Sequence, residues 1–68
     1  MATPAADEAE LASVAATLED LHRRLGAMAA RHQGERQPRE DVISALYEAE
    51  RSLWGSVRTV QKARRLLR

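Results

Sequence analysis

The chain has 68 residues, with 11 basic against 10 acidic side chains, no cysteine, one Trp and one Tyr. Such a composition excludes disulfide scaffolds and thiolate metal sites, gives no global electrostatic pull toward nucleic acid or membrane, and speaks against an aromatic-lined ligand pocket. A core this small generally needs a staple, and with cysteine absent the sequence predicts a second copy of the chain in that role.

Thr3 and Pro4 predict a helix start, since a Thr hydroxyl can cap and Pro suits the first helical position. Asp7, Glu8 and Glu10 follow, favourably placed at the positive end of the helix dipole. Leu11, Val14, Leu18, Leu21, Leu25, Met28 and His32 then recur at alternating spacings of three and four. This pattern predicts helix one over about 4–33, with Leu11, Leu18, Leu25 and His32 at heptad position a and Val14, Leu21 and Met28 at d. Gly34 is the expected C-cap, and the only clear break is a turn over 34–38.

Pro38, Glu40 and Asp41 open helix two, expected over about 39–67. Ile43, Glu50, Val57 and Arg64 fall at a, and Leu46, Leu53, Val60 and Leu67 at d. Nothing alternates with the period of two that a strand requires. The short connection makes the helices antiparallel neighbours. The apolar positions then match Leu25 with Leu46, Leu18 with Leu53, Leu11 with Val60, Met28 with Ile43 and Val14 with Val57. Charge agrees with that register, because the acidic start of helix one runs beside the basic end of helix two and Asp7 falls opposite Arg64. The predicted fold class is all-α: one domain over 1–68, an antiparallel, coiled-coil-like two-helix hairpin that dimerises into a four-helix bundle.

One layer is polar. Leu21 is expected to face Glu50, with His22 one residue further round and able to meet Glu50 or Glu48; Arg51 is the other candidate partner for Glu50. Such a layer either snorkels at the seam edge or fixes register and oligomeric state at some cost in stability. Gly26 and Gly55 each lie inside a helix at a cost of about 1 kcal/mol relative to Ala. They suggest either close backbone approach, within a bundle or against a partner, or unselected drift.

Function has to be read from surfaces. Tyr47 and Trp54 lie at the edge of the helix-two stripe, turned about 80–100° from Leu46, where one partner helix cannot easily cover them. Large aromatics in such places are common in interfaces. Either they close a homodimer's core or they meet a foreign protein. The sequence therefore predicts a non-enzymatic protein–protein interaction module, an adaptor or regulatory protein, acting through Tyr47, Glu50, Trp54, Arg58 and Gln61. No cofactor is expected, because no phosphate loop or nucleophile–base pair is present.

Two alternatives belong to other classes. Glu19-x-x-His22 together with Glu50 resembles the ligand arrangement of ferritin-like di-iron bundles, which implies a small metal-binding protein. The basic stretch from Arg58 to Arg68 could touch phosphates, although it lacks neighbouring aromatics for base stacking. No apolar run is long enough for a membrane span or a signal-peptide core, and the expected location is cytoplasmic. The Arg-rich, Ala-rich composition suggests a GC-rich bacterial genome.

Overall fold

In a computed structural model that describes residues 3–68, helix α1 spans Pro4–Gln33 and helix α2 spans Glu40–Leu66. Met1 and Ala2, which the sequence reading includes in the domain, lie outside the described residues. The two helices pack lengthwise against each other as a hairpin 54 × 16 × 14 Å in extent. No helix among the described residues is long and apolar enough to cross a membrane.

Local chemistry explains the helix ends. The Thr3 Oγ1 accepts a hydrogen bond from the Ala6 N–H at 3.1 Å, which satisfies one of the donors left orphaned by the first turn. Gly34 closes α1 with φ −78°, so the cap is right-handed and makes no use of glycine's left-handed freedom. α2 starts after Arg39, which offers no side-chain cap. Asp41 substitutes for one. Its Oδ1 accepts the Val42 N–H at 2.9 Å, while Arg39 grips the carboxylate through Nε at 3.2 Å and Nη2 at 2.9 Å. This pairing holds the Asp41 carboxyl below its ordinary range, chiefly through the Arg39 hydrogen bond and then through the Val42 N–H.

The α2 seam follows the heptad. Ile43 and Val57 are 4% and 3% exposed, and Leu46, Glu50, Leu53 and Val60 are half-buried beside them. The α1 seam does not follow the expected one. The buried α1 residues are Ala15 and Ala29, at 2% and 0% exposure, whereas Val14 and Met28 remain 40% and 36% exposed. Leu11, Leu18 and Leu25 stay half-buried along one margin, and His22 is half-buried between the two alanines in the heptad.

α1 is therefore rotated about its axis, so that the stripe of Ala15, His22 and Ala29 replaces that of Val14, Leu21 and Met28. Size is the physical reason. Alanine lets two helix backbones approach closely, and the longer flanking side chains then close over the margin. The rotation also changes the charge pairing. Glu8, rather than Asp7, lies against Arg64 at 3.8 Å, and it accepts a hydrogen bond from Arg68 Nε at 3.3 Å. At the polar layer it is His22, rather than Leu21, that meets Glu50.

Candidate partner-binding surface

The rotation of α1 gives the hairpin two unlike faces. On one, Leu21, Leu25 and Met28 of α1 form an apolar hollow with Leu53 of α2. Glu19 lies about 200° round α1 from Leu21, and so belongs to the other face. There it lines an open groove of about 630 Å³ with Trp54, Arg58 and Gln61 of α2. Three of the five residues expected to bind a partner, Trp54, Arg58 and Gln61, thus share one groove. Tyr47 lines a separate hollow nearer the turn, together with Gln33 and Arg51.

Trp54 is 48% exposed, yet its ring packs against a neighbour. The His22 imidazole stacks on it with ring centroids 5.3 Å apart and planes tilted by 40°, a geometry in which aromatic rings attract. His22 Nε2 also lies 3.9 Å from Glu50 Oε1, too long for a good hydrogen bond but close enough for charge to be felt when the imidazole is protonated. The other Glu50 oxygen sits over Gly26, where a Cβ would collide with it. Gly26 thereby provides the seat for a seam carboxylate. The close approach expected at Gly26 is present, but it involves a side chain and not a backbone. Within the hairpin itself a Cβ at Gly55 would meet nothing within 4 Å.

Tyr47 is anchored differently. Its hydroxyl donates to Gln33 Oε1 at 2.9 Å near the turn of the hairpin, and the residue is 36% exposed. Gln61 accepts from Arg64 Nη1 at 2.9 Å, which helps hold Arg64 toward Glu8. Arg58, Lys62 and Arg65 line the groove and, among the described residues, take part in no ion pair. The groove therefore combines an ordered aromatic ring with a cationic wall, and Glu19 is the only carboxylate lining it.

Within one hairpin the metal-ligand set does not assemble. Glu19 belongs to the groove wall while His22 and Glu50 meet at the seam, and among the described residues no three His, Asp or Glu side chains converge to hold a metal ion. The basic C-terminal stretch is divided, with Arg64 and Arg68 committed to Glu8 and the others left on the groove.

Sequence reasoning missed the His22–Trp54 stack, the Glu50 seat on Gly26 and the Tyr47–Gln33 bond. The signal available was that Ala15, His22, Gly26 and Ala29 share one helical face made of mostly small residues. No protein-family model matches the chain, and neither a curated protein nor a solved structure is similar to it at a significant level.

Proposed function

We propose that the hairpin is a non-enzymatic protein–protein interaction module, an adaptor or regulatory protein of the cytoplasm, which docks its partner on the α2 face around Trp54. The observation that carries this reading is an aromatic ring 48% exposed yet stacked on His22, at the wall of a groove flanked by Arg58, Lys62 and Arg65. A ring that is already ordered loses little conformational freedom on binding, which is the economy that makes Trp a frequent anchor of interfaces. The partner chemistry that suits the groove is a protein segment with an apolar side chain for Trp54 and carboxylates for the cations. The same reading has two hairpins paired into a four-helix bundle, because one hairpin covers so little of its own apolar surface.

The test uses Trp54→Ala and Arg58→Glu, both at exposed positions. Each variant should keep the helical circular-dichroism signal of the parent. Each should lose, in affinity capture from host extract, the protein that the parent retains. Retention of that protein by both variants at parental levels would refute the reading.

A further inference from the structure

We propose that two hairpins pair through the face opposite Trp54, with α1 lying antiparallel on α1 of the second copy and the two-fold axis passing at Leu21. This deepens the reading above and rests on its claim that the hairpin dimerises.

The first observation is area. The chain exposes 5192 Å². A compact monomer of 7.6 kDa would expose roughly 4300 Å² on the usual surface-to-mass scaling, so the excess is about 900 Å² per chain. A standard interface covers about 800 Å² on each partner. One further copy of this chain is thus a sufficient cover.

The second observation is where the uncovered apolar atoms of α1 lie. Val14 and Met28 are 40% and 36% exposed, with Leu21 midway between them, seven residues from each. They do not stand alone. Leu21 and Met28 share a hollow with Leu25 and Leu53, and Val14 shares another with Leu11 and Leu67. The stripe is symmetric about Leu21 in position, so an antiparallel copy matches Val14 with Met28, Leu21 with itself and Met28 with Val14. Self-complementarity of this kind is what a two-fold interface requires.

The third observation is charge, and it chooses the arrangement. Glu10, Thr17, Arg24 and Arg31 follow one another every seventh residue beside the stripe, and Glu10 and Arg24 line its two hollows. Among the described residues neither Glu10 nor Arg31 has an ion-pair partner within the chain. Glu10 stands about 16 Å along the axis from Leu21 on one side, and Arg31 about 15 Å on the other. The two-fold therefore brings Glu10 of each copy level with Arg31 of the other, twice over. The competing arrangement, α1 against α2 of the second copy, would face this edge with Ala45, Ser52 and Thr59 and leave both charges unmatched. Pairing through the Leu21 face also leaves Trp54 and its groove open to a partner.

Because the chain has no cysteine, single replacements report geometry without interference. Leu21→Cys sits on the axis and should form an intermolecular disulfide under mild oxidation, while Trp54→Cys should not. Glu10→Arg should weaken dimerisation about tenfold, and adding Arg31→Glu should restore it. A parent chain that is dimeric by sedimentation, but whose Trp54→Cys variant cross-links and whose Leu21→Cys variant does not, would overturn the proposed face. A parent chain of single-chain mass at every concentration would instead overturn the dimer reading on which the proposal rests.

Discussion

The imidazole of His22 joins the seam to the surface: it stacks on Trp54 at 5.3 Å between ring centroids while its Nε2 lies 3.9 Å from Glu50. One side chain therefore couples the polar layer between the helices to the aromatic ring on the candidate binding face. His22→Ala should leave the hairpin helical but release the Trp54 ring, which would appear as a red-shifted, more readily quenched Trp fluorescence. An unchanged emission spectrum and quenching constant would show that the stack does not order the ring.

Glu50 is the seam position whose replacement is most informative. Its side chain is 26% exposed, and its partner in charge, His22, lies beyond good hydrogen-bonding distance. A half-buried carboxylate with so weak a partner contributes little, and an apolar side chain there would pack against its neighbours along the seam. Glu50→Leu should stabilise the hairpin by about 1 kcal/mol, raising Tm by about 4–8 °C in a chain of this size. A fall in Tm would mean that the carboxylate makes a necessary interaction.

Gly26 and Gly55 make a matched pair. Gly55 faces open space, so Gly55→Ala should stabilise by about 1 kcal/mol through helix propensity alone. Gly26→Ala carries the same gain, but its Cβ makes the far end of the Glu50 side chain shift and should offset part of it. In a Glu50→Ala background the gain at Gly26 should return in full. Equal effects of Gly26→Ala in both backgrounds, measured by urea unfolding, would mean that Glu50 does not occupy the seat on Gly26.

Most of the hairpin was legible in the sequence, because the helix starts, the break after Gln33 and the α2 heptad all rest on strong, short-range signals. Ile43, Leu46, Leu53 and Val57 lie where their periodicity put them. The α1 seam was not legible, for a specific reason. Hydropathy favours Val14, Leu21 and Met28 over Ala15, His22 and Ala29, so a reading by apolar period chooses the larger side chains. A lone hairpin is decided instead by how closely two backbones can approach, and that favours alanine. α1 carries more apolar surface than one neighbouring helix can cover, and the surplus is the Val14–Met28 stripe. Trp54, Arg58 and Gln61 are recognisable as one surface from the α2 heptad alone. Their α1 wall, Glu19, depended on the rotation.

The Arg39–Asp41 pair offers a pH test at the start of α2. The Asp41 carboxyl is depressed in the folded hairpin, first by the Arg39 hydrogen bond. Its contribution is therefore present above the ordinary carboxylate range and is lost as pH falls through the depressed value. Asp41→Asn should lower Tm slightly at pH 7, and the gap between the two proteins should close on acidification. A gap that persists unchanged in acid would show that the difference does not come from the Asp41 charge.

The central claim is that this hairpin is completed by other chains, the first of them a second copy of itself. Only Ala15, Ala29, Ile43 and Val57 are fully buried within the described residues, and two of these are alanines. Stability supplied by association depends on concentration by mass action. The direct measurement is thermal unfolding followed by circular dichroism over a hundredfold range of protein concentration, with mass determined by sedimentation equilibrium at each. A Tm that climbs with concentration, together with a mass of two chains at the upper end, is the predicted result. A constant Tm and a single-chain mass throughout would contradict the claim.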